Sequence, residues 1–274
     1  MRLLLMQPVW IPNLHDVVRW IWLQEGGTAA VADGGFSGLM FLMDHLAWSR
    51  KGRTHRALIR TPEGTTWLHL PVRKEDRDKA IREVRMDHTS DWVRPLFRTL
   101  EYNYRNSVYF DHYEQEIRAD LEQAREFEYL VDVSNYMYGR LLAYLEFVPA
   151  FERMNAAELE NRWKAKAESS SRVPEDPDVL ANVLGADAYV QEWGSRHYMR
   201  QGSGVLEPVG LAPGQEKAMI SEFRIPEYHQ HFEGFEPDVC LLDLLFQMGP
   251  EAFLWMDKVR EELRKQDLDD LVRG

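Results

Sequence analysis

Several blocks of this sequence carry side chains able to bind ligands or move protons. Asp44-His45 follows the apolar run Leu39 to Met43, where a strand would end. A carboxylate beside an imidazole can orient a base or bind an amine. The alternative is a turn that caps the next segment. His55-Arg56 lies among Arg50, Lys51, Arg53 and Arg60. Arginine forks suit phosphate or carboxylate groups, so the ligand can be a nucleotide sugar, a phosphopantetheine arm or an amino-acid carboxylate. The alternative is a solvated loop paired with nearby acids.

Tyr228-His229-Gln230-His231 is dense in hydrogen-bonding groups. Histidines at i and i+2 of a strand face the same side and can bind metal. No Cys or carboxylate spacing completes a metal motif here, so no metal and no cofactor is expected. Cys240-Leu241-Leu242-Asp243 resembles a capping box, with Cys at the N-cap and Asp at the third helical position. A helix N-terminus lowers a thiol pKa, and a nucleophile served by His229 or His231 is one reading. A cap or a buried structural Cys is the other. In Trp193-Gly194-Ser195-Arg196-His197-Tyr198, the Gly and Ser can admit a phosphate or sugar close to the backbone. Core packing is the common role of such aromatic residues. Walker A, GxGxxG and GxSxG sequences are absent, which leaves ATPase, dinucleotide and hydrolase templates unsupported.

The elements that must position these groups belong to an ordinary globular chain. Its 274 residues are 45% hydrophobic and 28% charged, enough for one large domain with a substantial core. The net charge of −12 opposes broad nucleic-acid binding but permits a local basic pocket. A single cysteine excludes an intrachain disulfide and fits a reducing cytoplasm. The opening apolar run breaks at Gln7-Pro8, too short for a signal peptide core or a membrane span. The expectation is a cytoplasmic protein with no membrane association.

Leu3 to Met6 and Leu39 to Met43 read as strands. Leu14 to Leu23 reads as a helix capped by Asn13, after a Gly-rich loop-forming region is set aside over 26–38. Ala57 to Arg60 and Thr65 to Val72 flank a Pro62-Glu63-Gly64 turn, a hairpin pattern. Arg73 to Arg85 reads as a solvated charged face. Tyr109 to Phe147 reads as two helices split near Val131 to Ser134, followed by a helix over Asn155 to Lys166. Further on come a short helix over Asp178 to Leu184 ended by Gly185, and strands over Ala188 to Glu192 and Glu222 to Ile225. Two helices follow, Cys240 to Met248 and Glu251 to Leu263. Strands alternating with helices predict an α/β fold: a mixed or mostly parallel sheet flanked by helices, in one domain, with a helical insert or cap at about 109–166.

Several of these blocks resemble the WbqC-like family, in family order. They are Met6-Gln7-Pro8-Val9-Trp10-Ile11-Pro12, Leu42 to Ser49, His55-Arg56, Ile59 to Gly64 and Trp67 to Val72. Leu184 to Tyr189, Tyr228-His229-Gln230, Phe235, Leu241 to Phe246 and Gly249-Pro250 continue the pattern. His45 stands where the family usually has a second Asp, His55-Arg56-Ala57 replaces an Asn-Arg-Asn element, and the 26–38 loop looks like an insertion. The resemblance implies a role in O-antigen or related sugar pathways, including attachment of an amino acid or acyl group to a sugar amine. Taken with the residue blocks, it points to an acyl or aminoacyl transferase of bacterial glycan or natural-product biosynthesis. Asp44, His45, His55 and His229 are its catalytic candidates, and Gln7, Arg56, Tyr228, Gln230, Asp243 and Ser195 its substrate-binding candidates. The partners implied are a small-molecule or carrier-bound acyl donor and an amino-sugar or other amine acceptor, with a pathway enzyme as a further one. The alternative is a non-catalytic binding or scaffold protein of the same pathway.

Overall fold

The computed structural model describes residues 1–25, 38–165, 172–186, 188–191 and 225–273. Four strands form a parallel sheet: β1 (Arg2–Met6), β2 (Gly38–Leu42), β5 (Glu152–Asn155) and β6 (Ala188–Gln191), in the order β5-β2-β1-β6. Apart from Arg2 at the start of β1, the two central strands are apolar because both faces are covered, as parallel sheets require. Leu4, Met6, Met40 and Leu42 face the larger core, while Leu3, Leu5, Leu39 and Phe41 face a smaller one. This is the twofold alternation of a strand buried on both sides.

The larger core is filled by α1 (Leu14–Glu25), α7 (Leu241–Met248) and α8 (Ala252–Arg273). The smaller core lies under α5 (Ala156–Ala165) and α6 (Pro177–Val183). Helix α1 starts as expected at Asn13, whose Oδ1 accepts from the Asp16 amide at 3.0 Å while Asp16 Oδ2 accepts from the Asn13 amide at 2.9 Å. The exchange satisfies two donors left free at a helix start. Helix α7 is buried from Leu241 through Gln247, as an all-round apolar helix must be. Among the described residues, no helix is long and apolar enough to cross a membrane.

A separate hairpin pairs β3 (Arg56–Thr61) with β4 (Gly64–His69), in a register that sets Thr61 opposite Gly64 and Arg56 opposite His69. The helical segment that follows is α2 (Val93–Tyr104), α3 (Phe110–Ala124) and α4 (Leu130–Tyr144). It therefore begins earlier than 109, and β5 and α5, inside the expected 109–166 insert, belong to the sheet layer. The break between α3 and α4 falls at 125–129, not at 131–134. Backbone bonds fix it there, from Met86 N to Glu128 O at 2.8 Å and from Leu130 N to Val84 O at 2.9 Å.

The charged segment 73–85 is more than a solvated face. It folds into two single 3-10 turns, Lys74–Asp76 and Ile81–Glu83, around a fully buried Asp76. Ile81 and Val84 are buried with it. The last block of the sequence pattern has its own steric reason. Gly249 has φ of +52°, and a Cβ there would meet the Tyr109 ring at 2.4 Å. Of the expected loop at 26–38, the last residue, Gly38, begins β2; the rest of it, the block Trp193 to Tyr198 with Ser195, and positions 222–224 lie outside the described residues. Ile225 is buried but belongs to no strand.

Candidate functional site

A cleft of about 710 Å³ opens between two stretches of chain. One is the loop from β2 to β3, which supplies Trp48, Arg50, Lys51 and His55 and leads into Arg56. The other runs on from β4 and supplies His69, Lys74, Arg77 and Asp87. The stretches are tied by backbone bonds, Trp48 N to Lys79 O and Ile81 N to Leu46 O, both 2.9 Å.

Each wall is braced by a buried carboxylate. Under the first wall, Asp16 of α1 is fully buried and binds Arg53, with Nη1 to Oδ1 at 3.2 Å and a second contact from Nη2 to Oδ2. Arg19 joins the same carboxylate at 2.8 Å. Burial alone would raise the Asp16 pKa, but the guanidinium of Arg53, and then that of Arg19, hold it below the usual carboxylate value. Under the second wall, Asp76 accepts from Arg85 Nε at 2.8 Å, Nη2 at 2.9 Å and the backbone amide at 3.0 Å, and pairs with Lys79 at 2.6 Å. The Arg85 hydrogen bonds hold its carboxyl well below the usual range.

The cleft is positive. It is lined by five cations, Arg50, Lys51, Arg56, Lys74 and Arg77, against the single acid Asp87. Asp87 is occupied by the Thr89 amide at 3.0 Å and hydroxyl at 2.7 Å. Among the described residues, Arg50, Lys51, Lys74 and Arg77 make no ion pair. Arg56 donates from Nε to Gly52 O at 3.0 Å and from Nη2 to Lys51 O, and its guanidinium lies over Trp67, 4.4 Å from the ring centroid. It is thereby held rigid beside the cleft.

Two imidazoles share this field. His55 stacks near Trp48 with ring centroids 4.9 Å apart, and the His69 ring is 6.0 Å from His55. Burial, then the charge of Arg56, pushes His55 down to about 3, so it is neutral at pH 7. His69 is lowered by burial and by Arg56. The Nδ1 atom of His55 and the Nε1 atom of Trp48 are buried without a hydrogen-bond partner among the described residues. Both side chains are over nine-tenths buried, at 5% and 7% exposed.

The remaining candidates separate into two groups. Gln7, Asp44 and His45 lie at the carboxyl ends of β1 and β2, the edge at which open α/β sheets bind ligands. Gln7 Oε1 is 3.6 Å from where a Cβ on Gly52 would sit, so it backs the cleft loop. Asp44 accepts from the Ala156 amide at the start of α5 at 3.2 Å, and His45 Nε2 is 3.1 Å from Pro174 O. Burial raises the Asp44 pKa and lowers that of His45. Neither Asp44 nor His45 lines the cleft.

Tyr228, Gln230 and Asp243 form a closed brace away from it. The fully buried Asp243 accepts from Tyr228 at 2.6 Å and Tyr104 at 2.9 Å, and the Arg60 amide donates to the Tyr104 hydroxyl at 2.9 Å. Gln230 bonds both backbone groups of Glu236, at 3.0 and 2.8 Å. The brace joins β3, α2, α7 and the 228–236 segment. His229 is exposed beside it. Among the described residues, no group of three or more His, Cys, Asp or Glu side chains is placed to hold a metal.

Sequence reasoning passed over His69, Lys74 and Arg77 as site residues, and the Asp16 and Asp76 anchors. The hairpin turn held the signal for His69, because its register sets that residue opposite Arg56.

A profile of the WbqC-like protein family matches residues 37–254, most of the chain and all of the described cleft. The chain is also similar to "Uncharacterized protein Rv1507c" of Mycobacterium tuberculosis. The two are 25% identical over 215 residues, which span 77% of this chain and 84% of that protein. No solved structure matches it. The chain belongs to the WbqC-like protein family.

Proposed function

We propose that the protein is an acyl or aminoacyl transferase that forms an amide bond on an amine acceptor in bacterial glycan or natural-product biosynthesis. The observation that carries this reading is the basic cleft with two neutral imidazoles, set in a chain of net charge −12. Arg56 and its neighbours hold the anionic part of a donor. The acceptor amine attacks the acyl carbon, a C–N bond forms, and the bond from that carbon to the donor's carrier breaks. The amine proton passes to an imidazole and on to the leaving group. His69, the exposed ring on the cleft wall, is the better base, because His55 is held at about 3. His55 serves as a neutral polar group of the cleft wall, with no partner for its Nδ1 among the described residues.

The test is incubation with acyl-CoA and aminoacyl-carrier-protein donors and a set of amino-sugar nucleotides, read by mass spectrometry. A product heavier by the acyl group is expected, reduced about 10²-fold or more by His69→Ala. No product across the panel would remove the reading. One observation favours a second reading, a non-catalytic protein that presents its ligand to a pathway enzyme. Among the described residues, no carboxylate pairs with His55 or His69 to raise its basicity. A native-host pull-down giving a stoichiometric enzyme whose activity needs this protein, and is unaffected by His69→Ala, would select it.

A further inference from the structure

We infer that the ligand of the basic cleft carries a diphosphate, as nucleoside diphosphates and coenzyme A do, and not a lone carboxylate. This rests on taking the cleft as the donor site of the reading above. A carboxylate offers one charge and is satisfied by one guanidinium fork. It would engage one of the five cations of the cleft and leave the other four with no part in binding. Those cations come from both walls. Arg50, Lys51 and Arg56 belong to the loop before β3 and its first residue, and Lys74 and Arg77 to the segment after β4. Only a ligand with several charges spread along its length neutralises both sides. The volume of about 710 Å³ is nucleotide-sized rather than amino-acid-sized.

The cleft wall supports the same assignment. Trp48, which lines the cleft, presents an aromatic face on which the base or apolar arm of such a ligand can rest. Arg50, Lys51, Lys74 and Arg77 are exposed and make no ion pair among the described residues, so their side chains can turn toward such a ligand. In a protein this acidic, their clustering concentrates anions at one place on the surface.

Titration calorimetry with inorganic pyrophosphate, UDP, ADP, coenzyme A and acetate tests the inference. Pyrophosphate and the diphosphate esters are expected to bind, with acetate about tenfold weaker or undetected. Binding should weaken as salt rises. The paired variants Arg50→Ala/Lys51→Ala and Lys74→Ala/Arg77→Ala change exposed side chains, and each should lose about tenfold in affinity with thermal unfolding unchanged. A coenzyme A that binds more tightly than UDP or ADP would identify a pantetheine donor, and the reverse order a nucleotide sugar. Both orders support the diphosphate. Acetate binding as tight as pyrophosphate, or either paired variant binding normally, would overturn it. Acyl transfer from a donor that lacks phosphate, with pyrophosphate not bound, would sink this inference and leave the transferase reading standing.

Discussion

Cys240 occupies the N-cap of α7, yet its thiol makes no capping hydrogen bond and is 1% exposed. Burial pushes it up to about 12, so the nucleophilic thiolate is essentially absent at neutral pH. Its backbone does the positioning, from Cys240 N to Leu58 O at 2.7 Å and from Asp243 N to Cys240 O at 3.0 Å. Cys240→Ser should therefore keep the fold, exchanging an apolar contact for a hydroxyl able to cap, with a net change of about 1 kcal/mol. Iodoacetamide should label the native thiol only at the rate of unfolding, followed by intact mass with and without urea. Equal labelling in both would refute the buried assignment. At this scale the sequence carried part of the site. His55 and Arg56 stand out because a basic cluster is conspicuous in an acidic chain, whereas Lys74 and Arg77 are masked by the alternating charges around them. Tyr228, Gln230 and Asp243 attract notice for their polarity, but that polarity is spent on one another.

Elements place the cleft through contacts far apart in sequence. Arg53, 37 residues from Asp16, reaches back to the first turn of α1, and the loop bearing Lys51 and His55 is pinned by that pair. Nothing local predicts it, since Asp16 reads as an ordinary acidic first-turn residue. Its carboxylate compensates two guanidiniums that are 4% and 6% exposed. Asp16→Asn keeps the shape and removes the buried negative charge that both guanidiniums face. The expected cost is about 3–5 kcal/mol in urea unfolding, since removing one charge of a buried pair is strongly destabilising. Asp16→Leu combined with Arg53→Met and Arg19→Met should recover most of it. A single variant with an unchanged urea midpoint would show that Asp16 is not the anchor. The elements themselves were unevenly legible. β1 and β2 announce themselves as apolar runs, and α1 by its cap. β5 does not, because Glu152-Arg153-Met154-Asn155 is a four-residue edge strand with only Met154 buried. Helix α2 repeats apolar residues at 93, 96, 97, 100 and 104, but Pro95 reads as a breaker. It is tolerated there because the first turn has no intrahelical partner for its amide.

For the whole molecule, the balance between buried acids and buried imidazoles sets the response to pH. His55 is held at about 3 against an ordinary 6.5, and His45 and His69 are also lowered, all by burial first. Between those values the unfolded chain binds protons that the folded protein refuses. Stability is therefore full above the ordinary histidine value and falls as pH drops through 6.5 toward 3. Asp44 and Asp243 are raised by burial, so each contributes stability below the ordinary carboxylate value that is lost as pH climbs through its folded value, a slope of opposite sign. Asp16 and Asp76 are lowered, and their contribution disappears only below the ordinary value of 3.8. From pH 6.5 to 4.5 the histidines face only the partial offset of Asp44 and Asp243, and His55 refuses a full proton across most of that range. Urea midpoints should fall across it, and His55→Gln should flatten the fall by about one proton, or about 1.4 kcal/mol per pH unit at most. The slope is read whatever the variant's stability at pH 7. A His55→Gln slope equal to that of the unaltered protein would mean that His55 takes up its proton in the folded state. Burial and the charges of Arg56 and Arg77 would then not be keeping the ring neutral, and the electrostatics of the cleft would need a different account.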